Sequence, residues 1–276
     1  MADERDLFRN FADIRHGCCR AHLHCEGVTA AACKRRKLMQ KDIRITVVTV
    51  AFNAREALET TIRSVAGQDY ANLEYIVIDG GSADGSLEVI ERHAADITRW
   101  VSEPDRGIYD AMNKGVAMAT GDYCIFMNAG DTFVAPDTVN TVVAGMERGD
   151  DVVYGDIVKN GVLKPSLSPR NCHKMFYCHQ SAFTSTACLL AFPFDTAHRY
   201  SADFKQAKQL ILAGKRFRHL PVAVAHFDTH GVSNTQRSKG LWDNVKVVCE
   251  TDCFIDKCRF LPHLLWPWLM CKIRGK

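Results

Sequence analysis

The sequence predicts an α/β fold with a mainly parallel sheet. Strand-like and helix-like segments alternate at a regular pitch between Ile43 and Met127, which is the pattern of βαβ units. Two apolar runs each lead to a carboxylate, Asp79 directly and Asp131 after a short polar turn. Because ligands collect outside the carboxyl ends of strands in open parallel sheets, the two acids indicate a nucleotide site with a metal beside it.

The elements of the first half follow in order. Residues 45–50 are apolar and β-branched, which is typical of a strand buried on both faces. The next segment places Leu58, Ile62 and Val65 on one helical face. Read in the same way, the sequence predicts strands at 73–79, 97–101 and 123–127, and helices at 56–66, 86–94 and 108–119.

Beyond residue 150 the pattern is weaker. Strands are predicted at 151–156 and 216–225, and a helix at 203–213. Pro221 indicates that the later strand lies at an edge of the sheet, because proline cannot donate a hydrogen bond to a neighbouring strand. Residues 160–200 carry no regular pattern, and we expect them to be irregular.

The composition argues against a nucleic acid-binding protein and against a secreted protein held together by disulfides. With 276 residues, the chain is long enough for one large domain or two small ones. The formal net charge of +3 comes without a long basic stripe, so it does not indicate nucleic acid binding. The twelve cysteines are irregularly spaced, and no secretory signal precedes them. We therefore expect reduced cysteines in a cytoplasmic protein.

Residues 1–42 differ from the rest of the chain. They combine four cysteines and three histidines with the basic run Lys34-Arg35-Arg36-Lys37. Cysteine and histidine are the preferred ligands of zinc, but no paired CxxC spacing accompanies them here. The prediction is a weakly ordered extension, with Met39 as an alternative start of translation.

Residues 236–276 form a predicted carboxyl-terminal tail. Its apolar window, 260–270, is too short to cross a bilayer, which needs about 20 residues. Trp266 and Trp268 lie in that window, and basic residues flank it, a combination that suits a membrane interface. Two alternatives stay open, a peripheral segment on the inner face of the membrane and a terminal segment that packs onto the domain.

Four polar motifs occur in a characteristic order. They are Thr49-Val50-Ala51-Phe52-Asn53, residues 79–86 (DGGSADGS), residues 103–115 (EPDRGIYDAMNKG) and Asn128-Ala129-Gly130-Asp131. With this ordered series, the chain closely resembles family 2 glycosyltransferases from about residue 43 to 235. The resemblance is strongest to the branch that builds bacterial exopolysaccharides such as colanic acid.

The resemblance implies both a fold and an activity. The family fold, called GT-A, is an α/β/α sandwich around a nucleotide-binding sheet, and it would occupy residues 43–235 as the catalytic domain. The implied activity is transfer of a hexose from a nucleotide-sugar, expected to be UDP-linked, to a glycan or lipid-linked acceptor with inversion. The implied setting is the synthesis of bacterial surface polysaccharide.

The resemblance assigns the nucleotide pocket to the ends of the first two strands. Asp79 takes the role of reading the nucleobase, in a pocket that is also lined by Thr49, Ala51 and Asn53. A turn aspartate ahead of two glycines is the plainer interpretation of Asp79.

The segment 103–115 lies, by the same resemblance, against the donor sugar and the diphosphate. The expected contacts are Asp105, Arg106 and Lys114, since Arg and Lys form charge-assisted hydrogen bonds to phosphate oxygens. A solvated helix face is the alternative for Lys114.

Asp131 matches the second acid of the family's Asp-x-Asp-type motif. It is the predicted ligand of Mg²⁺ or Mn²⁺, which would neutralise the charge on the leaving nucleotide. Gly130 stands where a first aspartate often occurs, so Asn128 is the remaining source of an oxygen in this turn. Asn128, Ala129 and Gly130 are placed with the nucleotide-sugar, and an aspartate that caps the next turn is the alternative for Asp131.

An inverting transfer needs a base to deprotonate the acceptor hydroxyl. The family places an acid near the start of a later helix, and Asp203 fits that position, although acids also favour helix amino termini for electrostatic reasons. His179 and Gln180 lie in a segment that resembles the acceptor side and are expected to touch donor or acceptor.

Two other classes of protein remain as alternatives. A catalytically inactive scaffold that binds nucleotide-sugars is consistent with Gly130. A sugar nucleotidyltransferase is less well supported, because residues 52–56 lack the glycine-rich, basic signature that those enzymes carry after the first strand.

Overall fold

Nine strands form one sheet in the part of the chain that the computed structural model describes, residues 43–228 and 237–273. The strands are β1 Ile45–Ala51, β2 Leu73–Asp79, β3 Arg99–Ser102, β4 Tyr123–Phe126, β5 Thr132–Phe133, β6 Val152–Lys159, β7 Val162–Lys164, β8 Ala182–Ser185 and β9 Phe217–Phe227. They are arranged in the order β3-β2-β1-β4-β8-β6-β9-β5, and β7 pairs with β6 off this path.

Helices cover both faces of this sheet. They are α1 Arg55–Ala66, α2 Ser86–Arg92, α3 Ile108–Met118, α4 Thr138–Gly145, α5 Thr186–Ala191, α6 Ala202–Leu212, α7 Arg237–Thr251 and α8 Phe254–Ile273, with a short 3-10 helix at His179–Ser181. The extension predicted at 1–42 lies outside the described residues.

The parallel half of the sheet, β3-β2-β1-β4, confirms the predicted βαβ pattern. Alternate residues of β1 point to opposite faces, so Val47 packs with α1 and α2 whereas Val48 packs with α3. The helix α3 approaches β1 so closely that a side chain at Gly115 would collide with Val48. The result is the predicted α/β/α sandwich.

The second half of the sheet mixes strand directions. β8 is antiparallel to both β4 and β6, whereas β6 and β9 are parallel. The prediction of irregular structure at 160–200 was therefore wrong in part, because β7, β8 and α5 lie there. β8 and β7 are too short, at four and three residues, to show a period of two in the sequence.

The prediction that Pro221 marks an edge strand was wrong for β9 as a whole. β9 lies between β6 and β5. Pro221 is tolerated because it falls where the pairing is irregular, between the His219 and Ala223 pairs with β6, and because β5 pairs only with residues 225 and 226.

The predicted carboxyl-terminal tail is two helices that pack onto α6. Phe204 of α6, Val245 and Val248 of α7, and Phe260 and Leu264 of α8 form one buried cluster. Among the described residues, no helix combines the length and the apolarity that a bilayer crossing requires. The eight cysteines of the described residues are free thiols.

Candidate active site

The loop after β1 is held to the loop after β2 by hydrogen bonds between polar side chains and backbone. Asn53, with a φ of 47°, accepts a bond from the Ala83 amide at 2.9 Å, and its own amide donates to Ser82 at 2.7 Å. Asparagine tolerates this left-handed conformation better than most residues. The predicted pocket residue Asn53 is thus a bridge between the two loops.

Asp79 lies at the end of β2 and is fully buried. Its carboxylate accepts hydrogen bonds from the amides of Gly81 and Ser82 and from the hydroxyls of Ser82 and Ser102, at 2.5 to 3.2 Å. These contacts match the plainer interpretation, an aspartate that organises its own turn. A role in reading the nucleobase stays a prediction.

Thr49 and Ala51 are also buried. The Thr49 hydroxyl donates to the Met127 carbonyl at 2.7 Å and accepts from Tyr75 at 3.0 Å, so it ties β1 to β4. A role for Thr49 and Ala51 in lining the nucleotide pocket stays a prediction.

The segment 103–115 presents its charged residues near the same loops. Asp105 borders Gly80, where an added side chain would collide with its carboxylate. The Arg106 guanidinium is largely exposed and pairs with Asp110 at 3.0 Å. Lys114 pairs with Glu103 at 2.8 Å and donates to the Pro104 carbonyl at 3.1 Å. Both cations are held by partners on their own segment.

The turn after β4 is fixed to α1. The Thr61 hydroxyl accepts from the Gly130 amide at 2.9 Å and donates to the Asp131 carbonyl at 2.8 Å, while the Ala129 amide donates to Val50 of β1. The turn itself is closed by the bond from the Asp131 amide to the Asn128 carbonyl. Contacts with α1, with β1 and within the turn after β4 therefore fix the position of Asp131.

The Asp131 carboxylate is buried and lies beside a second acid. It accepts from Gln180 at 3.0 Å and from the Asp228 amide at 2.8 Å. Burial raises the pKa of the Asp131 carboxyl, and the neighbouring Asp228 charge contributes in the same direction. A site that makes ionisation of an acid costly would be stabilised by a cation.

Asp228 occupies the space that a side chain at position 130 would need. A β-carbon built on Gly130 would lie 2.6 Å from an Asp228 carboxylate oxygen, and the Gly130 φ of 102° also disfavours any other residue. The missing first acid of the turn is thus replaced in space by an acid that follows β9.

Asp203 lies in the first turn of α6, and His179 links it to the turn after β4 that contains Asn128 and Asp131. Its carboxylate accepts from the Tyr109 hydroxyl and the Phe204 amide, each at 2.8 Å, and lies 3.4 Å from His179 Nδ1. His179 Nε2 is in turn 3.0 Å from the Asn128 amide nitrogen. The predicted base and the predicted metal turn belong to one hydrogen-bond network.

The pKa of Asp203 is the result of opposing effects. Burial raises it, but the interaction with His179 and the hydrogen bond from Tyr109 outweigh burial, so the pKa lies below its usual value. The carboxylate is therefore ionised at neutral pH, in the form that accepts a proton.

The residues around Asp131 fit a divalent cation. Mg²⁺ and Mn²⁺ take oxygen ligands, and two carboxylates lie together here, that of Asp131 in the turn and that of Asp228 after β9. The Asn128 side-chain oxygen is buried with no hydrogen-bond partner among the described residues, because the amide nitrogen faces His179. An orphaned buried oxygen is costly unless a donor or a cation reaches it.

Sequence reasoning missed Asp228 and Tyr109. The pattern that singled out Asp79 and Asp131, a carboxylate at or shortly after the end of a strand, also applies to Asp228, which follows β9. Tyr109 had no signal of its own, since its contact with Asp203 spans 94 residues of sequence.

A second cluster of possible metal ligands holds a lysine instead. Asp195, His198 and Glu250 lie close together, but the Lys205 ammonium is 2.6 Å from Asp195 and 2.5 Å from Glu250. This arrangement is an ion-pair network that joins α6 to α7.

Comparisons with known proteins identify a family. Residues 46–201 match the model of the family described as glycosyl transferase family 2. The chain is 28% identical over 206 residues to the PGL/p-HBAD biosynthesis glycosyltransferase Rv2957 of Mycobacterium tuberculosis, a match that covers 68% of this chain and 78% of that protein. It is 38% identical over 96 residues to the amylovoran biosynthesis glycosyltransferase AmsB of Erwinia amylovora, covering 33% of this chain and 32% of AmsB.

Solved structures share the fold. Staphylococcus aureus TarS 1–349 in complex with UDP-GlcNAc superposes with a TM-score of 0.62 at 15% identity, covering 79% of this chain and 69% of that one. The mannosyltransferase PcManGT of Pyrobaculum calidifontis, in complex with GDP-Man and Mn²⁺, gives a TM-score of 0.61 at 20% identity with the same coverage. The predicted GT-A fold is confirmed, whereas the exopolysaccharide branch is only loosely supported.

Proposed function

Because the chain belongs to glycosyl transferase family 2 and is a glycosyltransferase, we propose that it transfers a sugar from a UDP-sugar to a cell-surface glycan or lipid-linked acceptor, with inversion at the anomeric carbon. The observation that carries the proposal is the convergence of Asp131, Asp228, Asn128, His179 and Asp203 beside the ends of β4 and β9. We assign the catalytic domain to residues 43–235.

Asp203 acts as the base in this proposal. The acceptor oxygen forms a bond to the anomeric carbon, the bond from that carbon to the diphosphate oxygen breaks, and the acceptor proton moves to Asp203. The lowered pKa keeps Asp203 ionised before the transfer. Tyr109 and His179 each contact one oxygen of the Asp203 carboxylate and hold it in place. The carboxylate can therefore accept the proton without being reoriented.

Asp131, Asp228 and Asn128 would hold the divalent cation. When bound, the cation would neutralise the charge on the leaving diphosphate. The complex of PcManGT with Mn²⁺ supports a divalent metal, and the residues of this chain do not distinguish Mg²⁺ from Mn²⁺.

UDP is the proposed nucleotide, and the support for it is a structural likeness. TarS was solved with UDP-GlcNAc, while PcManGT holds GDP-Man, so the donor test must include both nucleotides. The names of Rv2957 and AmsB, which refer to PGL/p-HBAD biosynthesis and to amylovoran biosynthesis, support a surface glycan as the product. We further propose a cytoplasmic location with peripheral attachment to the inner face of the membrane.

A donor screen tests the proposed transfer. Release of nucleoside diphosphate is measured from several UDP-sugars and GDP-sugars, with and without acceptor lipid extract. We expect UDP release from one UDP-sugar and a loss of about 1000-fold for Asp203→Asn, in the range seen for general bases. Release from GDP-sugars alone would contradict the UDP assignment, and tight UDP binding without any turnover would favour the inactive scaffold.

Metal binding is tested separately from turnover. Mn²⁺ affinity is measured by electron paramagnetic resonance on the full chain and on Asp228→Asn, with Asp137→Asn as the control because Asp137 is an exposed acid outside the site. We expect Asp228→Asn to weaken Mn²⁺ binding about tenfold or more. Equal affinity in the two variants would remove Asp228 from the cation site.

A further inference from the structure

The junction of α6, α7 and α8 contains a cavity of about 360 Å³. Its charged lining residues are Arg199 before α6, Lys239 and Lys246 on α7, Lys272 on α8, and one acid, Asp243. Four cations against one acid make this an unusually basic cavity for a chain whose net charge is only +3.

The single acid of the cavity is already engaged. Asp243 is buried and accepts from the Tyr200 amide at 2.9 Å, with His198 Nδ1 at 3.2 Å and Lys246 Nζ at 3.6 Å. Within the part of the chain that the structure describes, Arg199, Lys239 and Lys272 make no ion pair. The cavity therefore presents excess positive charge to whatever enters it.

Tryptophan rings form one wall of the cavity. Trp242 of α7 and Trp268 of α8 are in contact, with ring centroids 4.8 Å apart. Tryptophan between basic side chains is the composition that proteins place at the level of lipid headgroups. α8 contributes both Trp268 and, one helical turn later, Lys272 to the lining of the cavity.

One face of α8 is apolar and exposed. Phe260 and Leu264 are buried against α6 and α7. At 100° per residue, Ile255, Trp266, Leu269 and Ile273 lie on the opposite face, and each is between 44% and 77% exposed. A helix that is apolar on its outer face as well as its inner face needs a second apolar surface to cover it.

We propose that the outer face of α8 lies in the interface of an anionic membrane, and that the cavity binds the phosphate of a lipid headgroup there. Charge complementarity selects this occupant, because a second apolar protein surface would cover the stripe but leave Arg199, Lys239 and Lys272 without counter-charges. The inference deepens the peripheral membrane attachment proposed above by naming the surface and the ligand.

Vesicle binding tests this surface. The full chain is floated with vesicles of phosphatidylcholine alone and of phosphatidylcholine mixed with phosphatidylglycerol. We expect binding to the anionic vesicles, and a loss of about 30-fold for Lys239→Gln with Lys272→Gln, since each interfacial lysine contributes severalfold to affinity. The control pair Arg148→Gln with Lys164→Gln removes the same charge from exposed positions elsewhere and should bind like the parent chain.

A second pair of variants tests the apolar stripe. Trp266→Ser with Ile273→Ser should reduce binding to anionic vesicles at least tenfold while leaving the cavity intact. Equal binding of the parent chain to both kinds of vesicle, or an equal loss in the cavity and control pairs, would overturn the proposal. Calorimetry with inorganic phosphate alone identifies the remaining case, because tight binding without vesicles would overturn the assignment to a lipid.

Failure of this inference is distinguishable from failure of the proposed transfer. UDP release in the absence of vesicles should be unchanged in the Lys239→Gln and Lys272→Gln variant, since neither lysine belongs to the active site. Loss of vesicle binding with retained UDP release would support the lipid surface. Retained vesicle binding without turnover in the parent chain would instead contradict the proposed function.

Discussion

Asp79 and Asp131 follow the two strands that flank β1, and both are buried, yet their surroundings are opposite. Asp79 accepts four hydrogen bonds from its own loop and from Ser102, so its charge is satisfied within the parallel half of the sheet. Asp131 accepts two, beside a second carboxylate and an orphaned amide oxygen. Asp79 thus builds a loop, whereas the protein compensates the charge of Asp131 only in part.

The largest expected effect belongs to Asp131. Asp131→Asn should lower kcat/KM by about 100-fold to 1000-fold, because it removes a charged ligand from the leaving-group site. The free energy of unfolding should stay within about 1 kcal/mol of the parent value, because burial of the carboxylate beside Asp228 raises the pKa of Asp131 and disfavours the charged form that the substitution removes. Steady-state kinetics and urea unfolding measure the two effects, and a large loss of stability would place Asp131 in the same class as Asp79.

Asp79→Ala should show the reverse balance. Removal of an acceptor that satisfies four donors should lower the free energy of unfolding by about 3 kcal/mol, because buried donors are left without partners. Ser102→Ala removes one of these donors and should cost about 1 kcal/mol. If Asp79→Ala keeps full stability and instead loses UDP affinity, the nucleobase role predicted from the family resemblance would be supported.

Gly130→Asp tests whether the usual acid pair can be restored in this turn. We expect no gain in activity and a loss of stability about 2 kcal/mol greater than for Gly161→Asp, because the new side chain meets Asp228. Gly161 is the matched control, since it also has a positive φ but lies in open space. A more active Gly130→Asp enzyme would show that Asp228 does not replace the missing acid.

Glu74 is a third buried acid, and like Asp79 it is satisfied by hydrogen bonds, so its contribution to stability should depend on pH. Burial raises its pKa, but bonds from Thr46, Thr120 and Arg99 outweigh burial and lower the pKa to about 2. A depressed pKa contributes stability that is present above the unfolded value of 4.5 and is lost as the pH falls through about 2. Glu74→Gln should therefore cost about 3 kcal/mol at neutral pH and make acid unfolding less steep in that window. Unchanged acid unfolding would contradict this assignment.

The sequence predicted the parallel half of the sheet because its signal is local. Runs such as Ile45–Val50 and Leu73–Asp79 are long enough to show β-branched, apolar composition, and the helices between them show one apolar face. The mixed half was less accessible. β8 has four residues, and its place between β4 and β6 depends on pairings with strands more than 25 residues away in sequence.

The sequence by itself determined the order of the motifs, and with it the family, and it placed Asp79 and Asp131 at the ends of strands, because these signals lie in neighbouring residues. Asp203 became a candidate only through the family resemblance. Only the tertiary structure decided which of those acids is already satisfied, and which meets a second carboxylate. Asp228 lies 97 residues after Asp131 and still donates its amide to it. The end of β9 lies beside the turn after β4 only in the folded chain, so no local sequence pattern could predict that Asp228 contacts Asp131.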